Sequence, residues 1–453
     1  MIKISINQVA EYCNGRMNEK AAAMGETFIA GASIDTRTIQ KGNIFIPFKG
    51  ENVDGHRFIG DAFSKGAGVS LTEAPLEETD AGRPLIHVED GLRALQMIAK
   101  RHLEAVDPTV IAITGSNGKT TTKDMVECLL ADDHKVKKTI GNYNNEIGLP
   151  LTLLELDDDT EISILEMGMD QKGDIHFLST LAKPDIAIIT NVGESHIEKL
   201  GSREKIAEAK YEIVDGLKED GVLIYSKDYP LLNELTGKGP HHFKMTSAGL
   251  SEENDHIISN ITQNADGTSF EMDGLHVDIP QLGSHNAMNA SLSLLAAEAA
   301  GKDMAAVAGR FKNLNVSSMR MEQAVHRSGA LIINDAYNAS PSSMKSAVDT
   351  VAGLDYSKKI LVLADILELG EYSEALHQSV GEHIGRTGSD FELFTFGSDA
   401  KFIAEAAGIA GSRHFDDIET LAGHLEGMLD EDTVVLLKGS RGMEMERMKS
   451  HIW

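Results

Sequence analysis

Thr114-Gly115-Ser116-Asn117-Gly118-Lys119-Thr120-Thr121 carries the residue types that hold a triphosphate. Gly115 and Gly118 let backbone N–H groups turn toward an anion. A helix starting directly behind them adds the partial positive charge of its N-terminus. Lys119 stands where an ammonium reaches the β- and γ-phosphates, and the Thr120 hydroxyl where it can hold Mg²⁺. The position six residues before the lysine is Ile113 rather than glycine, so the pattern is the shorter GxxGKT form. Alone, this predicts binding of a nucleoside triphosphate and leaves its use open. A ligase and a nucleotide-hydrolysing switch protein would both carry it.

Three more residues could work beside bound phosphates. Glu166 closes the apolar run 162–165, and His196 follows the run 186–189 and a polar turn. In a parallel sheet, ligands gather at the carboxyl ends of strands, which puts both on the rim of the glycine loop. A carboxylate and an imidazole there suit Mg²⁺ ligation. Lys210 lies in the apolar stripe of a helix N-capped by Ser202, between Ile206 and Ile213. Its stem could simply snorkel. Partial burial, however, lowers a lysine pKa, and a neutral amine can take up CO₂ as an anionic carbamate fit for a metal site. The amide-rich loop 141–148, with Asn142 and Asn145, suits a polar substrate or an ordinary turn. Near the start, Arg37, Lys49, His56 and Arg57 sit among glycine turns, either as a phosphate-binding set or as solvated loop charge.

The elements that must position these groups follow from periodicity. Residues 110–113 read as a buried strand, and 121–130 as a helix with Met125, Val126, Leu129 and Leu130 at helical spacing. Residues 90–106 form a helix stopped by Asp107-Pro108. The chain divides into units 1–106, 107–323 and 324–453. The second alternates strands and helices, turns to shorter strands after about 220, and resumes with an alanine-rich helix behind Gly283. The third has strands at 330–333, 359–363, 392–396 and 433–437 separated by helical patterns, and no GxGxxG for a dinucleotide. The fold class expected is α/β in three domains: a small α/β N-terminal domain, a central P-loop parallel-sheet ATPase domain, and a C-terminal Rossmann-like doubly wound domain.

Composition narrows the partners. The 453 residues hold 42 Lys and Arg against 70 Asp and Glu, a formal net charge of −28. That argues against nucleic acid and anionic membrane, and it requires a locally basic site for any phosphate-rich ligand. Cys13 and Cys128 give no disulfide or zinc framework. Residues 1–10 lack the apolar core of a signal peptide, and no apolar run reaches the ~18 residues of a membrane span. The expectation is a soluble cytoplasmic protein without membrane insertion.

Taken together, the motifs resemble the ATP-dependent Mur ligases of bacterial cell-wall synthesis, through all three units. The glycine loop has that family's form, missing early glycine included. Gly141-Asn142-Tyr143-Asn144-Asn145-Glu146-Ile147-Gly148-Leu149-Pro150 and Asn334-Asp335-Ala336-Tyr337-Asn338-Ala339-Ser340-Pro341 are similar to the member that adds D-alanyl-D-alanine to UDP-N-acetylmuramoyl-tripeptide. The Asp-Asn-Pro-Arg signature of the sibling that adds a diamino acid is absent. Thr36, Ser340 and Ala364 depart from the usual serine, asparagine and glycine.

The resemblance implies ATP and Mg²⁺ as cofactors, and an acyl phosphate as the intermediate. It implies that Gly115, Ser116, Asn117, Gly118, Lys119, Thr120 and Thr121 cradle the phosphates, with Lys119 and His196 in the chemistry. Thr120, Glu166, His196 and a carbamoylated Lys210 would hold metal. His285, Asn286 and Asn289 would hold the nucleoside, with Arg320 and Asp335 reaching ATP from the far side of the cleft. Asp35, Thr36, Arg37 and Lys49 would take the uridine diphosphate. Asn142, Asn145, Tyr337 and Asn338 would line the peptide substrates, with Lys438 or Arg441 for the dipeptide carboxylate. Its partners would be these small molecules, acting on a monomer that closes about a hinge near 320–330.

Overall fold

Thr109–Thr114 runs through the middle of the central sheet, parallel to Ile162–Glu166 on one side and Ile186–Ile189 on the other. Its β-branched residues are buried on both faces, as a strand covered by helices on both sides must be. The computed structural model describes residues 4–50, 53–78 and 82–452; the first three residues of the stretch read for a leader lie outside these.

The central sheet has nine strands. Val136–Lys138, Ile162–Glu166, Thr109–Thr114, Ile186–Ile189, Val222–Tyr225, Lys244–Gly249 and His256–Asn264 are parallel in that spatial order. Gly267–Met272 and Leu275–Ile279 then return antiparallel. Asp273-Gly274 makes the second of these turns with both residues at positive φ, 53° and 82°, the conformation a tight hairpin requires. The sheet expected to be parallel therefore ends in an antiparallel meander. The helices Lys119–Leu130 and Ser284–Ala299 pack together on one face of it, over a core that includes Ile113, Val126, Leu129, Ala290 and Leu294.

The first domain is a five-stranded sheet of very short strands, all parallel except Arg16–Met17. The helix Gly91–Val106, N-capped by the Asp90 side chain, joins it to the central domain. It packs on Gly148–Leu153, and its buried His102 bonds through Nε2 to the Leu156 carbonyl at 2.9 Å. The third sheet runs Glu322–Val325, Leu331–Asn334, Thr433–Lys438, Lys358–Ala364, Phe391–Phe396, Arg413–Phe415, antiparallel only at the first pair. Glu322–Val325 pairs with the third sheet and straddles the division drawn at 323/324, and Met321 N is bonded to Asp335, so the third domain starts earlier and takes in Met319, Arg320 and Met321. Asn334, Ala364 and Lys438 stand at carboxyl ends of this sheet, where ligands collect.

Candidate active site

A cleft of about 1190 Å³ lies where the carboxyl ends of the central strands meet the third domain. The glycine loop forms its floor. Gly115 leaves no room for a side chain, since a Cβ there would lie 1.8 Å from Thr190 Oγ1. Gly118 caps the helix at φ 79°, and a Cβ there would press on the Asn289 amide at 2.7 Å. The loop is pinned from the strand beside it. Asn117 N donates to Asn191 Oδ1 at 2.9 Å, Thr190 Oγ1 to the Asn117 carbonyl at 2.6 Å, and Gly193 N to Ser116 Oγ at 2.8 Å. Such a loop is held open for an anion before the anion arrives.

Lys119 Nζ donates to the Gly115 carbonyl at 2.9 Å. Burial lowers its pKa, with the Glu166 carboxylate opposing and the Arg320 guanidinium adding to the effect. Glu166, 3 % exposed, is held at both oxygens. Thr120 Oγ1 donates to Oε2 at 2.9 Å and Asn144 Nδ2 to Oε1 at 2.9 Å. Lys123 Nζ, also buried, is 3.7 Å from Oε2. Lys123 and Asn144 were not singled out from the sequence. Lys123 carried a signal, because it lies four residues after Lys119 on the same helix face. Asn144 did not, because its loop contains three asparagines and only the turn selects one.

Lys210 is 2 % exposed on the helix Arg203–Tyr211 and lines the same cleft. Among the described residues its ammonium makes no hydrogen bond or ion pair. Burial, and then the like charge of Lys119, push its pKa well below 10.5. His196 sits at φ 65°. Its Nδ1 is buried without an aligned hydrogen bond, although Glu368 Oε2 lies 3.0 Å away. No three His, Cys, Asp or Glu residues among those described form a ready-made metal site. The donors expected from the sequence, the Glu166 carboxylate, the His196 imidazole, the Thr120 hydroxyl and the Lys210 amine, all line the cleft. A carbamate on Lys210 would supply the missing anionic oxygens, so this donor set fits a hard divalent cation.

The far wall comes from the third domain. Met319 and Met321 both take positive φ, 59° and 50°, a conformation that bulky residues rarely adopt. Arg320 between them is aimed into the cleft. Its Nη2 donates to Thr120 Oγ1 at 2.9 Å, and its guanidinium lies 4.0 Å over the Tyr337 ring. Ser340 Oγ donates to Asn117 Oδ1 at 3.1 Å and Asn117 Nδ2 to Ser342 Oγ at 3.3 Å, so the glycine loop touches both domains. Asp335 accepts from Met321 N at 3.1 Å and pairs with the buried Lys438. Lys438 also bonds the carbonyls of Asp335 and Asn338, which takes up its three N–H donors. Asn289 donates to Asn286, and Asn286 to the Leu282 carbonyl. Burial holds the His285 imidazole below its usual pKa, and its Nδ1 lacks a partner.

Asn142, Asn145, Tyr337 and Asn338 line the cleft with these groups. Asn145 also serves locally, accepting from Gly148 N at 2.9 Å. Asp35, Thr36, Arg37 and Lys49 do not reach it and lie on the first domain. The exposed Arg37 guanidinium folds back on Asp35, at 2.6 Å. His56 is spoken for by Asp54 at 2.7 Å and by Glu73 N at 3.1 Å. Arg441 lines a second, smaller hollow of about 140 Å³ between the domains, next to Asn338, Ser440 and His196. Its guanidinium is 3.0 Å from Glu446.

Three family models match the chain in succession. The chain matches "Mur ligase family, catalytic domain" at 28–103, "Mur ligase middle domain" at 113–297 and "Mur ligase, glutamate ligase domain" at 319–441. UDP-N-acetylmuramoyl-tripeptide–D-alanyl-D-alanine ligase of Bacillus subtilis is 42% identical over 99% of this chain and 98% of its own. Among solved structures, MurF from Acinetobacter baumannii superposes with a TM-score of 0.89 at 26% identity, covering 99% of this chain and 98% of that one. MurF ligase from Thermotoga maritima in complex with ADP gives 0.81 at 29% identity, covering 93% and 96%.

Proposed function

The chain belongs to the Mur ligase family, and we propose that it joins D-alanyl-D-alanine to UDP-N-acetylmuramoyl-tripeptide at the expense of ATP. The observation that carries this is that relatives bearing that one activity in their names match the chain over 99% of its length.

A carboxylate is a poor electrophile at neutral pH. Moving the γ-phosphoryl group onto the tripeptide carboxylate makes an acyl phosphate with a good leaving group. The dipeptide amine then attacks that carbonyl, and phosphate departs. The protein's part is positioning and charge neutralisation. The Gly115–Gly118 backbone and Lys119 receive the β- and γ-phosphates, and Lys119 exchanges its bond to the Gly115 carbonyl for one to phosphate. Arg320 and Asp335 meet ATP from the third domain, and Asn286 and Asn289 close on the nucleoside. These cations resolve the difficulty of an anionic ligand on a strongly acidic chain.

Mg²⁺ is the cation for which Thr120, Glu166, His196 and a carbamoylated Lys210 are suited, and when bound it would neutralise phosphate charge. Lys210 would serve as its anionic ligand once its buried neutral amine has added CO₂ and released one proton. Asp35, Thr36, Arg37 and Lys49 take the uridine diphosphate, away from the reacting atoms. Asn142, Asn145, Tyr337 and Asn338 flank the peptide. With Lys438 committed to Asp335, Arg441 is the residue for the dipeptide carboxylate. No helix of the described residues is long and apolar enough to cross a membrane, and we place the enzyme in the cytoplasm as a monomer.

Phosphate release tests this reading. A ligase releases phosphate from ATP only when both the tripeptide nucleotide and the dipeptide are present. Equal release with ATP alone would instead describe a nucleotide-hydrolysing switch.

A further inference from the structure

Glu368 belongs to the third domain, yet its carboxylate lies against an imidazole of the second. Oε2 stands 3.0 Å from His196 Nδ1, nearer than Asp170 Oδ1 at 3.8 Å. Nδ1 is sealed from solvent, whereas Nε2 is not among the buried unpartnered atoms and the ring borders the cleft.

Both partners are fixed to their own domains. His196 takes φ 65° at the start of the short helix Ile197–Leu200. Glu368 takes φ 63° in a loop tied down by the two residues before it. Ile366 N donates to His377 Nε2 at 3.0 Å, and Leu367 N to Ser440 Oγ at 2.9 Å. His377 is fully buried, with Nδ1 2.8 Å from the Ser373 carbonyl. Its Nδ1–H donates there, which leaves Nε2 as the acceptor that holds the loop. Further along, Tyr372 OH donates to the Gly201 carbonyl at 3.4 Å. A Cβ on Gly370 would meet Glu198 Cγ at 2.8 Å. The loop thus lies flat on 196–201 and travels with the third domain.

A carboxylate beside one ring nitrogen keeps the proton there and leaves the lone pair on the other, which is how a metal-ligating histidine is oriented. We propose that Glu368 is a positioning residue that fixes His196 for metal ligation only when the third domain has closed on the second. The proposal rests on the reading of His196 as a metal ligand. Its consequence is a site that opens and closes with the enzyme. When the third domain swings away, the ring loses its orienting carboxylate and the histidine-held ion is bound weakly. When the domains meet, the site is completed together with the substrate cleft, so phosphoryl transfer is tied to closure.

The test uses the full-length enzyme stripped of metal, saturated with ADP, with Mn²⁺ as probe and free ion read from its electron spin resonance signal. Glu368→Ala should weaken Mn²⁺ binding roughly 10- to 100-fold, the range for loss of such an orienting partner, and His196→Ala at least as much. Glu368→Gln keeps an acceptor oxygen beside Nδ1, and should stay within about threefold of wild type. ADP affinity without metal should not change in any of them. Wild-type Mn²⁺ affinity in Glu368→Ala, with His196→Ala impaired, would overturn the proposal and leave the metal reading standing. Wild-type affinity in both would overturn both. A raised KM for the dipeptide with Mn²⁺ binding intact would give Glu368 to the substrate, and likewise overturn the proposal.

Discussion

Arg320 and Thr120 are joined across a domain boundary. The guanidinium at the head of the third domain donates to the hydroxyl of the phosphate loop at 2.9 Å while resting on the Tyr337 ring. The hydroxyl in turn donates to Glu166. A short polar chain therefore links the third domain to a buried carboxylate of the second. Arg320→Ala removes one hydrogen bond and one cation–π contact, about 1–3 kcal/mol together. We expect the KM for ATP to rise about tenfold or more, and Arg320→Lys to recover little of it, since an ammonium cannot both stack and donate in a fixed fork. Steady-state kinetics at saturating tripeptide and dipeptide will read this. An unchanged KM in both variants would detach Arg320 from the nucleotide.

Gly115→Ala should abolish nucleotide binding while the domains stay folded. The added methyl would overlap Thr190 Oγ1, a side chain already bonded to the loop carbonyls of Thr114 and Asn117, so the loop itself must shift. Titration of ADP by calorimetry, beside a circular dichroism spectrum, checks both halves. Normal ADP affinity would mean that the loop tolerates the shift and is not shaped around phosphate.

Much of this was legible in the sequence, and what was not has physical reasons. The phosphate-loop strand, the helix behind it and the strand ending at Glu166 follow from β-branched runs, glycine spacing and apolar periodicity, all of which act within about a dozen residues. The pairing of Lys438 with Asp335 joins positions far apart in the chain, and no local pattern reports it. The same holds for Glu368 against His196. Arg413–Phe415 was missed because it is a short, exposed edge strand without alternation. Glu322–Val325 was missed because its residues are only partly buried, and a hydrophobic pattern is what strand reading depends on.

Lys210 gives a pH dependence with a definite sign. Its folded pKa is well below 10.5 because of burial and then Lys119. Between the folded and unfolded values the unfolded chain binds the extra proton, so stability rises with pH through that window. Lys210→Met removes the effect. In CO₂-free buffer with chelator, the thermal midpoint of the wild type should climb relative to Lys210→Met as pH rises through the window, and the gap should be constant below it. Parallel curves throughout would mean that the amine is not buried as a neutral group. In bicarbonate, the wild type alone should gain the mass of a carbamate.

Arg441→Ala should raise the KM for D-alanyl-D-alanine at least tenfold, with the KM for ATP within about twofold. A carboxylate hydrogen-bonded to a guanidinium is worth about 1.5–3 kcal/mol. Because Arg441 is half-exposed and already shared with Glu446, the variant should keep wild-type thermal stability. A rise in the ATP KM instead would place Arg441 at the nucleotide.

The central claim concerns which amine is joined to which carboxylate. By the family resemblance, Asp335, Tyr337, Asn338 and Ser340, mostly neutral groups, replace the Asp-Asn-Pro-Arg signature that would supply an extra anion and an arginine to a diamino acid. The decisive measurement is the mass of the product formed from ATP and UDP-N-acetylmuramoyl-tripeptide with D-alanyl-D-alanine, lysine and diaminopimelate at equal concentration, repeated with the dipeptide nucleotide as donor. The account predicts one dominant product, the tripeptide nucleotide extended by D-alanyl-D-alanine. Preferential addition of a diamino acid to the dipeptide nucleotide would contradict it and assign the chain to the sibling activity.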